Sequence, residues 1–79
     1  MMEELEQETE KWQKKLKKKE PKFSPKIQDG EDFVENIKAY LEDSYHFREE
    51  DDYVRAFESI IWAWAWFEIG RDYGFIDVD

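Results

Sequence analysis

Residues 52–73 read DYVRAFESIIWAWAWFEIGRDY and form the most apolar segment of the chain. Its middle alternates Trp with Ala from Trp62 to Trp66, a period of two that would suit a half-buried strand. Alanine is uncommon in strands, however, and no turn residue precedes Gly70. Apolar side chains also recur at helical spacing, at Tyr53, Phe57, Ile60, Trp64 and Phe67. The spacing therefore predicts a third helix over about residues 52–73.

The predicted third helix is apolar on nearly every side. Val54, Ile61, Ala65 and Glu68 lie beside the stripe just described. A second stripe lies roughly opposite and consists of Trp62, Trp66, Ile69 and Tyr73. Such a helix is expected at the centre of a bundle, as its most buried element. Two neighbours do not easily cover two opposed aromatic faces, so either the first helix packs on the second stripe or that stripe meets another molecule.

Two further helices are predicted before this one. The first covers residues 2–20 and ends at Pro21, because proline cannot continue a helix. A connector at 21–29 follows, in which Phe23 and Ile27 are expected to pack on the bundle. The second helix covers 30–49, with Asp29 as its N-cap. The first helix has an apolar stripe of Met2, Leu5, Thr9, Trp12 and Leu16, and the second has one of Phe33, Ile37, Tyr40, Ser44 and Phe47, widened by Val34, Leu41 and Tyr45.

The ends of the third helix carry recognisable capping residues. Asp51 or Asp52 can cap its start. Gly74 suits its end, with Phe75 or Ile76 folding back. Residues 77–79 are expected to form a frayed tail. The predicted fold is all-α, a three-helix bundle built on a helical hairpin, in one domain over 1–79: first helix at 1–20, connector at 21–29 and hairpin at 30–76.

Composition narrows the possible functions. The 79 residues include 21 acids, 12 bases, one His and no Cys, for a net charge of −9. Because the chain has no Cys, disulfides and Cys-based zinc sites are excluded, and the composition fits a reducing cytoplasm. No cofactor is expected. No apolar run reaches the ~20 residues that span a bilayer, so no membrane partner is expected. The first 20 residues are electrically balanced, which leaves all the negative charge on the body and disfavours nucleic acid.

The hairpin from Phe33 to Ile76 resembles the DUF357 family of small archaeal proteins. The stretch DYVRAF at 52–57 is similar to the family's entry into its last helix, and AWFEIG at 65–70 with Gly74-Phe75 is similar to the exit. The resemblance implies a helical, three-helix protein without an established activity or catalytic residues. The family usually has Gly before the Asp-Tyr pair, where this chain has Asp51. If Asp51 adopts a left-handed conformation, it costs more free energy than Gly would.

Two candidate sites rest on charged residues. Asp43 and His46 have the spacing of a carboxylate–histidine metal pair on one helical face, but a complete site would need a symmetric partner chain. The alternative is a solvent-exposed His near a helix C-terminus. The run Lys14–Lys19 could contact RNA, with Trp12 stacking on a base, or form a solvated helix end. Serine and threonine hydroxyls lack a suitably placed His, so no enzyme is expected.

The remaining candidate is an interaction surface. Its predicted members are Trp62, Trp66, Ile69, Tyr73 and Trp12. Tryptophan and tyrosine dominate the binding energy of many protein interfaces. The sequence therefore predicts a non-enzymatic module that forms a homo-oligomer or binds a protein partner. The alternatives are a metal or enzymatic site shared across a symmetric oligomer, and RNA binding by the first helix.

Overall fold

Three helices and one short strand pair form in the computed structural model, which describes residues 2–20, 24–25 and 30–77. Helix α1 is Met2–Lys19, α2 is Gly30–Glu49 and α3 is Tyr53–Asp72. Strands β1 (Ser24–Pro25) and β2 (Ile76–Asp77) are antiparallel, with Ser24 opposite Asp77 and Pro25 opposite Ile76. The predicted all-α bundle built on the α2–α3 hairpin is confirmed. Predictions for Pro21, Phe23, Ile27 and Asp29 fall outside the described residues.

Helix α1 runs antiparallel to α2 and parallel to α3. Glu10 of α1 bonds Arg48 of α2, and Gln13 of α1 bonds Ser44 of α2. Residue numbers therefore rise along one helix as they fall along the other. The hairpin itself is antiparallel, since the ring of Tyr40 lies beside Trp62. The bundle is elongated, with extents of 40 × 18 × 17 Å. Both the first half of α1 and the α2–α3 turn therefore lie at one end of the molecule.

The core lies between the three helices and is closed by β2. Its fully buried apolar residues are Leu16, Val34, Ile37, Leu41, Ile60, Ala63, Phe67 and Ile76. The expectation of a frayed tail is wrong at Asp77, which pairs with Ser24 and follows a fully buried Ile76. Val78 and Asp79 lie outside the described residues. Strand β2 is thus part of the core rather than an appendage.

Small residues form much of the buried side of α3, together with Ile60 and Phe67. The buried residues of α3 are Ala56, Ser59, Ile60, Ala63, Phe67 and Gly70. Tyr53, Phe57 and Trp64 of the predicted stripe are only half-buried, and Val54 and Ile61 are exposed. Helix α3 has more buried residues than α1 or α2, as expected of the most buried element, but one of its sides is exposed. Small side chains let α2 approach α3 closely, and the larger ones are displaced to the edges of that contact.

Gly70 makes room for two large neighbours. A Cβ added there would lie 3.1 Å from Ile76 Cγ1 and 3.1 Å from Phe33 Cδ1. Gly30, at the start of α2, has even less room, because a Cβ would overlap the carbonyl oxygen of Phe75. Both glycines therefore permit close contact between β2, the segment before it and the hairpin.

The α2–α3 turn ends one helix and caps the next. The N–H of Asp52 donates to the Phe47 carbonyl (2.8 Å) and that of Asp51 to the Arg48 carbonyl (3.0 Å), which is a Schellman motif. Asp51 adopts the left-handed conformation that this motif requires, with φ of 60°. The Asp52 carboxylate then accepts a bond from the N–H of Arg55 at 3.1 Å. Asp52 is therefore the N-cap of α3, one of the two residues predicted for that position.

The end of α3 repeats the same motif with glycine. The N–H of Phe75 donates to the Gly70 carbonyl (2.8 Å) and that of Gly74 to the Arg71 carbonyl (3.3 Å). Gly74 has φ of 78°, as its predicted capping role requires. The motif turns the chain back so that β2 can reach the core.

A connected polar network joins α1 to the hairpin. Gln13 Nε2 donates to Ser44 Oγ at 2.8 Å, and Ser44 Oγ donates to the Ala56 carbonyl at 2.6 Å. Arg48 donates to Gln13 Oε1 at 3.0 Å and to Glu10 Oε1 at 2.7 Å. Gln13 and Ser44 are fully buried, so each needs these partners. The network fixes how far α1 can slide along α2 and α3.

Candidate interaction surface

One side of α3 faces away from both other helices and carries five large apolar side chains. This outer face comprises Val54, Ile61, Trp62, Ile69 and Tyr73. Their exposed fractions are 59%, 45%, 56%, 47% and 76%. With 3.6 residues per turn, these positions fall on the side opposite the buried small residues. Five large apolar side chains are thus presented to solvent along one helix.

Trp62 stacks on the ring of Tyr40. Its ring lies nearly parallel to that of Tyr40, with centroids 6.3 Å apart and 22° between the planes. More than half of Trp62 remains exposed despite this contact. The α2 side chain therefore holds the indole in place while leaving much of it available.

Two of the predicted surface residues pack against other side chains of the bundle and are half-buried. Trp66 is half-buried against Phe33, with centroids 5.0 Å apart and 73° between the rings. Trp12 is half-buried with its ring edge-on to Trp64 at 5.3 Å, and Trp64 Nε1 donates to the Trp12 carbonyl at 3.1 Å. Trp62, Ile69 and Tyr73 lie on the outer face, whereas Trp66 and Trp12 lie at its edges.

Sequence reasoning missed Val54 and Ile61 as members of this surface. Both were placed beside a buried stripe, whereas the structure exposes them. The available signal was their seven-residue spacing, which Glu68 continues and which keeps all three positions on one side of a helix. A charged residue in that series indicates a solvent-facing line.

Charges beside the outer face nearly balance. The exposed charged side chains there are Arg55, Glu58, Glu68, Arg71 and Asp72. Arg55 lies 3.6 Å from Asp52, and Arg71 Nε donates to Asp72 at 2.9 Å. The hydrogen bond to Asp72 is the main cause that raises the pKa of Arg71. Acids thus outnumber bases three to two beside the outer face, and two of the acids interact electrostatically with a neighbouring arginine.

A shallow groove continues the outer face toward α1. It is lined by Trp12, Ile61, Trp64, Ala65 and Glu68. The amino groups of Lys11 and Lys15 lie 5.2 Å and 4.8 Å from the centre of the Trp12 ring. These cation–π contacts place positive charge at the border of the groove.

The described residues do not complete the candidate metal site at Asp43 and His46. Asp43 and His46 are exposed on α2, and His46 Nε2 lies 3.3 Å from Glu50 Oε1. In residues 2–20, 24–25 and 30–77, no three His, Asp or Glu side chains are grouped closely enough to hold a metal ion. Among the acids of the α2–α3 turn, the Asp52 carboxylate caps α3, and Asp51 supplies the left-handed backbone that ends α2.

The lysine run is exposed to solvent, and the neighbouring Trp12 indole already contacts other side chains of the protein. Lys14, Lys15 and Lys17–Lys19 are all exposed, and Lys17 pairs with Glu20 at 3.2 Å. Trp12 donates from its indole N–H to Glu8 at 3.0 Å, besides its contact with Trp64. The structure thus brings the lysines near Trp12 but leaves its ring only partly accessible. None of the helices in the described part of the chain is long and apolar enough to cross a membrane.

Comparison with known proteins identifies relatives without an assigned activity. The family model for a protein of unknown function, DUF357, matches residues 5–76. The crystal structure of protein AF1782 from Archaeoglobus fulgidus, a DUF357 protein, is 41% identical, with a TM-score of 0.90, and the match covers 99% of this chain and 97% of that one. No curated protein shows a significant sequence match. With both its sequence and its helical arrangement shared, the chain belongs to the DUF357 family.

Proposed function

We propose that this chain is a non-enzymatic module that binds another protein chain through the outer face of α3. The observation that carries the proposal is the exposure of Val54, Ile61, Trp62, Ile69 and Tyr73 on one helix side. Contiguous apolar patches of this kind mark interaction sites in soluble proteins. Trp and Tyr contribute most where they become buried at the centre of an interface.

The hydroxyl groups support the non-enzymatic part of the proposal. Thr9 donates its hydroxyl to the Leu5 carbonyl at 2.7 Å, and Ser44 donates its own to that of Ala56. Both residues are fully buried, so neither offers a nucleophile to a substrate. The proposal includes a cytoplasmic location, which suits the cysteine-free sequence.

Two tryptophan variants separate binding from folding. Trp64→Ala should lower the free energy of unfolding by about 3–5 kcal/mol, because Trp64 packs between Trp12 and Phe67. Trp62→Ala should cost much less stability, because more than half of its surface already meets water. Urea unfolding of both variants measures the difference. An equal loss from both would contradict the assignment of Trp62 to a free surface.

Site-specific photo-crosslinking in cells tests the proposal directly. A benzoylphenylalanine in place of Trp62 should form one discrete protein adduct, identified by mass spectrometry. The same probe in place of exposed Glu42 on α2 is the control and should form none. The Trp62 adduct should also disappear when Ile69→Lys is introduced into the outer face. A probe at Trp62 that yields no adduct, or one that Ile69→Lys leaves intact, would overturn the proposal.

A further inference from the structure

We infer that the partner of the outer face is a second copy of this chain, with the two α3 helices antiparallel. The inference rests on the proposed function and names its partner. Three observations support it: the extent of the outer face, the charges beside it, and the distribution of charge along the bundle.

The extent of the outer face matches a small, reversible interface. Tyr and Trp side chains carry about 150–250 Å² each and Val and Ile carry less, so the exposed fractions correspond to at most about 700 Å² of surface per chain. A standard interface takes about 800 Å² from each partner. Two outer faces packed together would form a contact somewhat smaller than the standard size, which is typical of weak, reversible association.

The charges beside the outer face permit self-contact despite the net charge of −9. Two bases and three acids border it, and they include Arg55 at one end and Arg71 at the other. Most of the remaining acid lies elsewhere, on the outward side of α2 and on the first half of α1. A second acidic molecule therefore meets less repulsion at the outer face than at the outward side of α2 or the first half of α1.

The distribution of charge along the bundle selects the antiparallel orientation. One end carries the acids of early α1 and of the α2–α3 turn, which are Glu3, Glu4, Glu6, Glu8 and Glu49–Asp52. The opposite half of α1 carries Lys11, Lys14, Lys15 and Lys17–Lys19. Since α1 runs parallel to α3, a parallel pair would place the two acidic ends together. An antiparallel pair places the lysines of each copy beside the acidic end of the other.

Sedimentation equilibrium of the purified chain tests whether a second copy binds. We expect a monomer–dimer equilibrium with a dissociation constant of about 10–100 μM, consistent with a small interface. Ile69→Lys should weaken dimerisation at least ~10-fold, because it places a charge in the contact. Ala39→Lys is a matched control that adds the same charge to the exposed side of α2 and should leave dimerisation unchanged.

Cysteine crosslinking tests the orientation, and the natural chain contains no thiol that could interfere. Val54 and Tyr73 lie at opposite ends of the outer face, about 28 Å apart at 1.5 Å per residue. In the antiparallel dimer, Val54 of one copy lies near Tyr73 of the other. A short bismaleimide should therefore join Val54→Cys to Tyr73→Cys in a mixture, and join either variant to itself much less efficiently.

Each outcome bears on the inference in a defined way. A dimer sensitive to Ile69→Lys with preferential mixed crosslinks supports it, whereas efficient Val54→Cys self-crosslinking would establish a parallel pair and overturn it. A monomer at all concentrations would also overturn it. In that case, a Trp62 photo-adduct with a different protein would leave the proposed function standing. A dimer unaffected by Ile69→Lys would remove the outer face from self-association altogether.

Discussion

Asp51 adopts a left-handed backbone conformation that few residues other than glycine tolerate. Its φ of 60° serves the Schellman motif at the end of α2, just as Gly74 does at the end of α3 with φ of 78°. An L-residue with a Cβ pays about 1–2 kcal/mol for this conformation, although Asp and Asn pay less than most. The departure from glycine noted in the sequence is thus a strained position in the structure.

Asp51→Gly is therefore expected to stabilise the fold by about 0.5–1 kcal/mol, after allowing for the greater freedom of glycine in the unfolded chain. Urea unfolding followed by tryptophan fluorescence measures the change. Asp51→Ala is the control, because it also removes the charge but keeps a Cβ. If Asp51→Ala stabilised as much as Asp51→Gly, charge repulsion within the acidic turn would be the cause instead.

The Tyr53 hydroxyl makes stability depend on alkaline pH. Burial raises the pKa of Tyr53 above 10.0, and the hydrogen bond to Glu6 raises it further. The folded chain therefore keeps this proton to a higher pH than the unfolded chain, so the stabilisation is complete below pH 10.0 and is lost as pH rises through the folded pKa.

We expect Tyr53→Phe to reduce the decline of unfolding free energy above pH 10.0, as measured by urea titrations at several pH values. Tyr73→Phe, at the most exposed tyrosine position, should keep the wild-type slope, and an unchanged slope in Tyr53→Phe would contradict the assignment.

At the scale of elements, α1 depends on polar contacts as well as apolar ones. Gln13 is fully buried and bonds both Ser44 and Arg48. Gln13→Ala should lower the free energy of unfolding by about 1–3 kcal/mol, because the buried Ser44 hydroxyl and the Arg48 guanidinium lose partners. Hydrogen exchange should also show faster opening of α1 than of the hairpin.

The exposed Gln7 of the same helix is the matched control for this prediction. Gln7→Ala should change stability by less than about 0.5 kcal/mol, as surface substitutions usually do. Similar losses from Gln7→Ala and Gln13→Ala would mean that the network contributes little beyond helix propensity.

The same element shows what the sequence could and could not predict. The helical spacing of apolar residues and the position of Pro21 predicted where α1 lies. The buried Leu16 and the half-buried Trp12 belong to its predicted stripe. Met2 of that stripe is 56% exposed, because it lies at the very start of the helix. Gln13 was not foreseen, since periodicity counts apolar residues and a buried amide is recognised only from its partners on another helix.

Helix α3 shows a second limit, which is set by size rather than hydrophobicity. Ala56, Ala63 and Gly70 recur every seven residues and mark its contact with α2. A hydrophobicity pattern ranks them below Trp and Phe, although a close helix contact selects the smallest side chains. For that reason, Trp62, Ile69 and Tyr73 of the candidate site were predicted from sequence, whereas Val54 and Ile61 were not.

At the scale of the whole molecule, net charge opposes compactness. With 21 acids and 12 bases, the folded chain repels itself. Raising sodium chloride from about 0.01 M to 0.15 M shortens the screening length from about 30 Å to 8 Å. We therefore expect the melting temperature to rise over this interval, measured by circular dichroism at a concentration low enough to keep the chain monomeric.

Potassium chloride should produce the same rise, since screening does not depend on which monovalent cation is present. A melting temperature that falls with added salt would instead show that attractive pairs, such as Arg48 with Glu10, outweigh the repulsion.

The meeting of Leu16 with Ile76 in one core has a consequence for how the chain matures on the ribosome. Leu16 belongs to α1 and Ile76 to the last described strand, and both are fully buried in the same cluster. The α2–α3 hairpin makes mainly local contacts and can form early. Helix α1 leaves the ribosome before the hairpin, but it cannot complete its packing until residue 76 has emerged. The hairpin is therefore expected to form before α1 packs onto it.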